Sequence, residues 1–245
     1  MWDNVPLLRI FSNLLFGLSL LLILYGATRY VLHLSVFPLN TVELREAPKN
    51  VPIKLIDRVV REHIKGNFFN VDLNQTRSAF EQLPWVRKVS VRRKFPWALE
   101  VELEEHVALA RWNGNGLVNT HGEVFTEKTD QALPAFFGQP NTSVQVATMY
   151  DELGKELSPI KQEVIQLSLS PRFAWQLRLK NGMVIELGRE HMQQRLERFV
   201  EVYPYSISTL PNSVTHVDLR YRNGFAAYLP SGVEMQEKRT SGNKV

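Results

Sequence analysis

An uncharged, apolar run near the N-terminus limits the fold of this 245-residue chain more than any other feature. From Ile10 to Thr28 there is no Asp, Glu, Lys or Arg, and leucine dominates. A helix rises about 1.5 Å per residue, so the run would reach about 28 Å, close to the thickness of the hydrocarbon core of a bilayer. We therefore predict a transmembrane helix over residues 10–34, after a short cytoplasmic tail at 1–9.

Two other interpretations of this run are a buried core helix and a cleavable signal peptide. A core helix would show a polar face, for which the run offers only Ser12, Asn13 and Ser19. A signal peptide would have a shorter apolar region and a small-x-small exit, whereas the exit here is bulky and apolar. The tail has one Asp and one Arg, so its charge says little about orientation. We expect a single-pass type II protein of the bacterial inner membrane, with its bulk in the periplasm.

The overall composition excludes several kinds of chemistry. There are 29 basic and 25 acidic residues and a net charge of +4, without a concentrated Lys/Arg block that has interleaved aromatics. We therefore expect no nucleic-acid partner. The chain has no cysteine, which excludes disulfides, zinc fingers, iron–sulfur clusters and cysteine nucleophiles.

The pattern after the anchor predicts a small α+β domain. Apolar alternation at 39–44 indicates a short strand, and helical spacing follows between Pro52 and Gly66. A second helix begins after Asp72 or Asn74, either of which can cap it, and it ends at the next proline.

Residues 87–105, RKVSVRRKFPWALEVELEE, carry nearly all their basic charge before Phe-Pro-Trp and all their acidic charge after it. Apolar and polar residues alternate on both sides, which predicts a β-hairpin with one apolar face. A three-residue FPW loop would set Arg92 opposite Glu100, Lys88 opposite Glu104, and Val91 opposite Val101. The charges would fix this register, because a slip by one residue turns the apolar set to water.

The predicted order is strand–helix–helix–strand–strand. With the aromatic-Pro turn and the following LEVELEEHVALARW, this segment resembles the polypeptide-transport-associated (POTRA) domain, which we place at residues 38–107.

The rest of the chain predicts a β-rich domain with packed helices at 108–230. Alternating runs on both sides of Asn181–Gly182 indicate a hairpin, since both turn residues tolerate φ > 0. Further predicted elements are helices in NTSVQVATMYDELGKEL and EHMQQRLERFVEVYP, and strands in SVTHVDLRY and FAAYL. Residues 231–245 are polar and aperiodic, and we expect them to be disordered.

A search of the sequence for catalytic motifs finds none. The six histidines lack metal-ligand spacing, and HExxH, GxSxG and a phosphate-binding glycine loop are absent. Adjacent residues of Glu104–Glu105–His106 would point to opposite faces of a strand. We expect no catalytic residue, metal, cofactor or small-molecule substrate, while a periplasmic cell-wall enzyme stays open as an alternative.

The late strand is the better candidate for a site, because it can present a binding surface. Its polar face would carry His216, Asp218, Arg220 and Arg222. At a sheet edge, the free N–H and C=O groups of this strand could accept a partner strand. Aromatic anchors would be Tyr221, Phe225 and Tyr228. The alternative, a core Tyr221 and a merely solvated Arg220, stays open.

Several segments resemble the FtsQ/DivIB family of bacterial cell-division proteins, in the same order. They are GLVNTHGEVF, WQLRLKNGMVIELGR, QQRLERFVEVYP and HVDLRYRNGFA. The resemblance implies a noncatalytic divisome scaffold at the division septum that binds FtsB, itself paired with FtsL, and thereby links early and late division proteins to control septal peptidoglycan synthesis. It also implies that the POTRA domain meets other divisome members. A POTRA-bearing secretion or outer-membrane assembly factor, which would need a β-barrel or repeated POTRA units, is the other alternative.

Motif matching under this resemblance selects partner-facing residues. Arg172, three residues before Trp175, matches a basic position. Arg220 and Tyr221 match the Arg-Tyr of the family's DLRY motif, and Gly224 matches the glycine that follows it. Together with His216, Phe225 and Tyr228 they form the predicted partner-binding set.

Overall fold

The computed structural model describes residues 5–33, 39, 41–209, 214–222 and 224–229, in two compact units, Met1–His106 and Val107–Val245. The disordered tail predicted at 231–245 lies outside the described residues.

The first helix, α1, spans Val5–His33 and so begins five residues before the predicted anchor. Its segment Leu8–Val31 is long and apolar enough to cross a membrane, and none of it is buried in the protein. The core-helix interpretation is therefore wrong, because a core helix would be covered. The helix fits a single-pass membrane protein.

The rest of the first unit is the predicted β-α-α-β-β domain. Its elements are β1 Thr41–Leu44, α2 Ile53–His63, α3 Leu73–Glu81, β2 Val86–Lys94 and β3 Ala98–Glu105. The sheet order is β1-β3-β2, with β1 parallel and β2 antiparallel to β3. Both helices contribute buried side chains to one core with the sheet.

The predicted register of the β2–β3 hairpin is confirmed, with Val91 opposite Val101, Arg92 opposite Glu100 and Lys88 opposite Glu104. The Arg92 guanidinium donates to Glu100, and this bond lowers the pKa of the Glu100 carboxyl. The ion pair of Glu104 is made by Arg87, at 2.5 Å.

Local signals explain where the helices begin. Asp72 accepts hydrogen bonds from the N–H groups of Asn74 and Gln75, so the cap of α3 is Asp72 and not Asn74. Such a cap contributes about 1 kcal/mol. The helix α2 ends at His63, whereas the prediction put Gly66 just past its end.

The second unit is a mixed sheet with two longer helices. Its strands are β4 Ala108–Trp112, β5 Gly116–Asn119, β6 Val124–Phe125, β7 Ala135–Phe137, β8 Val164–Leu169, β9 Trp175–Leu179, β10 Val184–Gly188, β11 His216–Asp218 and β12 Ala226–Tyr228. Its helices are α4 Ser143–Leu157 and α5 Met192–Val202, each followed by short 3-10 turns. Within the described residues the sheet order is β12-β11-β10-β9-β8-β7-β4-β5-β6.

The Asn181–Gly182 turn joins β9 and β10 as predicted. Gly182 has φ +89°, and the side-chain carbonyl of Asn181 accepts a bond from the N–H of Met183. The alternating run before this turn is two strands and not one. Ser170 causes the break, because its carbonyl and hydroxyl accept bonds from the N–H groups of Phe173 and Ala174.

Candidate partner-binding edge of the sheet

The late strand predicted in SVTHVDLRY is the short strand β11, which is not at the edge of the sheet. It pairs in parallel with β10 and antiparallel with β12. The interpretation of a free edge on this strand is therefore wrong. The edge belongs to β12, whose one strand neighbour in the described part of the chain is β11.

The outer side of β12 presents backbone groups that a further strand could bond. The carbonyl of Tyr228 points toward β11, where it accepts a bond from the N–H of Thr215 at 3.1 Å. Backbone groups alternate in direction along an antiparallel strand, so the N–H and C=O of Ala227 point away from β11. Ala227 is exposed and small, which leaves room for an approaching strand.

The two faces of β12 differ. On one face the ring of Tyr228 contacts the ring of His216 opposite it, with centroids 5.4 Å apart, and Tyr228 stays 52% exposed. Just before the strand, the ring of Phe225 packs edge-on against Phe199 of α5, with centroids 5.9 Å apart. Tyr228 can therefore meet a partner, whereas Phe225 holds the strand to the core.

Arg220 is neither a core residue nor merely solvated. Its guanidinium donates two bonds to the carboxylate of Asp218, at 2.9 and 2.7 Å, and its backbone N–H donates a third at 2.9 Å. Asp218 is buried, and the bond from Arg220 lowers the pKa of its carboxyl. The Arg220 side chain stays more than half exposed, so Asp218 orients a cation that still faces solvent.

Tyr221 is 54% exposed, so the open alternative that placed it in the core is wrong. Gly224 lies in the connection from β11 to β12, and no atom lies within 4 Å of where a Cβ would stand.

Gly188 lies against Arg220, a contact that sequence reasoning missed. It ends β10 at a bulge with φ +78°, and a Cβ there would lie 3.1 Å from Cγ of Arg220. The aliphatic part of Arg220 thus lies over the backbone of Gly188. The signal available in the sequence was a glycine at the end of an apolar run. The residue that it contacts, Arg220, follows a strand that is distant in sequence.

Strand pairing brings Arg172 to the same end of the sheet as Arg220. Arg172 lies in the turn before β9, Trp175 of β9 pairs with Gly188, and the C-terminal ends of β10 and β11 are neighbours. β9 and β11 are two strand spacings apart. The strand that follows Arg172 and the strand that precedes Arg220 are therefore about 10 Å apart. His216 and Tyr228 lie at the other end of the β11–β12 hairpin.

Other cations that the sequence did not single out lie at this end. Arg195 donates to the carbonyl of Leu187, and Arg198 donates to the carbonyl of Arg222. We call the following set the basic end: Arg172, Arg189, Arg195, Arg198, Arg220 and Arg222. Carboxylates are also present here: Asp218 pairs with Arg220, Glu190 pairs with Arg189, and Glu197 lies between Arg195 and Arg198 on α5. An acidic segment is the ligand that such a surface favours.

Within the described residues, no group of three or more His, Asp or Glu side chains could hold a metal ion.

The fold and this edge together define a class of protein: a chain with an apolar helix, a POTRA domain, and a sheet domain that ends in an open strand beside clustered arginines. Comparison with known families narrows the class. Residues 37–106 match the model for the FtsQ-type POTRA domain, and residues 110–220 match the model for the C-terminal domain of the cell-division protein FtsQ/DivIB.

Curated relatives agree with these matches. A cell division protein FtsQ from Nitrosospira multiformis is 40% identical over 93% of this chain and 98% of its own. Those from Burkholderia pseudomallei and Bordetella pertussis are 36% and 35% identical, covering 92% and 94% of this chain and 93% of each relative. The chain belongs to the FtsQ/DivIB family of cell-division proteins. Neither the secretion factor nor the cell-wall enzyme gains support from these matches.

Proposed function

We propose that this protein is a noncatalytic divisome scaffold whose strand β12 receives a strand of FtsB, in the complex of FtsB with FtsL. The observation that carries the proposal is the outer edge of β12, where the backbone groups of Ala227 point away from the sheet. Main-chain bonds to such an edge give affinity that depends little on sequence.

Side chains around the edge supply the specificity. Tyr228 and Tyr221 are half-exposed aromatic residues, which can cover an added strand with little loss of side-chain freedom. Arg220 is held by Asp218 and presents its guanidinium at the end of β11. It favours a carboxylate on the partner, because charge-assisted bonds to a guanidinium are strong and directional. His216 supports the ring of Tyr228 from the neighbouring strand.

The basic end sets the direction of the added strand. It lies at one end of β12 only, so an FtsB segment with acidic residues on one side of its strand would dock in one orientation. Arg172 lies farther from β12 than Arg220 does, and it would contact the part of the partner that continues past the strand.

We propose that this interaction takes place at the inner membrane of the division septum. In the proposed arrangement Leu8–Val31 crosses the inner membrane, the body lies in the periplasm, and the POTRA domain meets other divisome proteins. Binding and positioning then couple divisome assembly to septal peptidoglycan synthesis without a cofactor.

The test is the dissociation constant of the full chain in lipid nanodiscs with a soluble FtsB–FtsL complex. Proline at 227 removes the outward N–H while leaving the bonds from β12 to β11, and edge strands tolerate proline. We expect Ala227→Pro to weaken binding by about tenfold or more.

The matched control lies on the opposite edge strand, β6. The carbonyl of Glu123 bonds the N–H of Asn119, so by alternation the N–H of the exposed Val124 also points outward. Val124→Pro should leave binding unchanged. If both prolines weakened binding equally, or if neither weakened it, strand addition at β12 would be refuted.

A further inference from the structure

Four aromatic residues gather at one end of the POTRA domain. We call Phe68, Phe69, Phe95 and Trp97 the aromatic tip. Phe95 is 83% exposed and Phe69 is 44% exposed, while Phe68 is buried beneath them. Exposed aromatic residues in a cluster mark a surface that something covers.

Packing and hydrogen bonds hold this tip in shape. The ring of Phe68 contacts those of Phe69 and Trp97, with centroids 5.3 and 5.8 Å apart, and Phe95 stands 6.4 Å from Trp97. Arg93 donates bonds to the carbonyls of Phe68 and Val71, at 2.7 and 2.9 Å, which ties the loop to the end of β2. The exposed rings therefore belong to an ordered surface.

The register of the sheet puts the tip where the chain arrives from the membrane helix. β1 is parallel to β3, and Thr41, its first residue, lies opposite Ala98, directly after Trp97. Thr41 lies ten positions after Val31, the end of the apolar span. Any conformation of these residues reaches at most about 36 Å. This end of the domain therefore stays within that distance of the point where α1 leaves the bilayer.

The charges at this end suit a phospholipid surface. Glu43 is neutralised by Lys94, whose Nζ lies 2.5 Å from it, and the exposed Asp72 accepts bonds from the N–H groups of Asn74 and Gln75 at the start of α3. The exposed Lys65 stands in the loop that leads to Phe68. Aromatic rings flanked by cations are typical of the headgroup layer, where amphipathic rings settle and cations meet lipid phosphates.

We propose that the aromatic tip docks in the headgroup layer of the bilayer that α1 spans, on the side of the protein body, and so holds the POTRA domain with this end against the membrane. The inference rests on the anchoring by α1 proposed above. Phe69, Phe95 and Trp97 would insert, while Phe68 and Arg93 keep them in position.

The absence of cysteine makes the test direct, since one introduced cysteine carries one fluorophore. The full chain is labelled at Phe95→Cys and placed in nanodiscs of phosphatidylethanolamine and phosphatidylglycerol with a lipid that carries a shallow nitroxide quencher. The matched control is Gln82→Cys, exposed at the other end of the domain just before β2. A label at Leu20→Cys in α1 reports membrane insertion.

We expect quenching at position 95 to exceed that at position 82 by about threefold or more, because interfacial aromatic positions lie within reach of the quencher. A label at Lys65→Cys leaves all four rings of the aromatic tip unchanged. In the protein labelled at this position, Phe95→Ser should lower the quenching, and Phe95→Trp should preserve it.

Equal, weak quenching at 95 and 82 with strong quenching at Leu20→Cys would overturn the docking inference and leave the anchoring intact. If the label at position 95 became shielded from solvent only after a division protein was added, the docking inference would be overturned in favour of a protein partner. Weak quenching at Leu20→Cys would instead overturn the anchoring itself.

Discussion

The β2–β3 hairpin of the POTRA domain pairs strands of nine and eight residues, whereas the β11–β12 hairpin pairs three residues on each strand. In the first hairpin, Val89 and Val101 are buried and charged pairs line the other face. In the second hairpin, Phe225 packs against the core on one face, and Tyr228 on the other face is exposed to solvent.

This difference separates two uses of the same motif. A long hairpin with a buried face and cross-strand charge pairs stabilises its own domain and has one register. A short hairpin at the edge of a large sheet contributes little by itself and keeps backbone groups available for another chain. Substitutions in the first should therefore change stability, and substitutions in the second should mainly change binding.

The largest effect should come from a charge at the centre of the POTRA core. Val101 is fully buried between α2, α3 and the sheet. Val101→Asp should destabilise the first unit by about 4 kcal/mol or more, because a buried carboxylate without a partner is strongly unfavourable. Chemical denaturation followed separately in the two units would measure it. The second unit should unfold at the same denaturant concentration as in the wild type. A shift of both unfolding transitions would contradict the view that this hairpin stabilises only its own domain.

A smaller effect on stability, with a clear effect on binding, is expected at Gly188. A side chain at φ +78° is strained, and a Cβ there would press on Cγ of Arg220 at 3.1 Å. Gly188→Ala should cost about 1–3 kcal/mol and displace the Arg220 guanidinium. Gly154, where a Cβ meets nothing within 4 Å, is the matched control. If Gly188→Ala left the proposed binding of FtsB–FtsL unchanged, Gly188 would have no positioning role.

The smallest effect on stability should follow the charge of Asp218. Its pKa is lower in the folded protein than in the unfolded chain, because Arg220 bonds the carboxylate. The stabilisation is therefore complete above the unfolded pKa, near 3.9, and is lost as the pH falls through the folded value. It amounts to about 1 kcal/mol or less, since the guanidinium is exposed to solvent.

Denaturation at pH 7 and at pH 3 compares the wild type with Asp218→Asn. The substitution should remove part of the loss of stability in acid, and it should weaken partner binding at pH 7 because Arg220 is no longer held. An unchanged acid profile together with unchanged binding would show that the Asp218–Arg220 pair matters for neither property.

The sequence predicted the elements whose signals are local. The β2–β3 register followed from alternation and charge, a cap at Asp72 or Asn74 from their position before a helix, and the Asn181–Gly182 turn from its residue types. These features depend on residues within about twenty positions of one another.

The strand order of the second unit could not be predicted in this way. β7 lies between β4 and β8, in parallel with both, and β12 takes the edge that the sequence assigned to the preceding strand. The support of Arg220 by Gly188 likewise joins residues on different strands. Such pairings depend on the closure of long loops and on packing, which leave no short pattern in the sequence.

Amide hydrogen exchange at Ala227, measured by NMR with and without FtsB–FtsL, tests strand addition at the level of a single bond. The outward N–H of Ala227 should exchange at least about tenfold more slowly in the complex, because it would donate to the added strand. The N–H of Val124, at the other edge, should keep its rate. Unchanged exchange at Ala227 in a saturated complex would mean that the partner binds elsewhere.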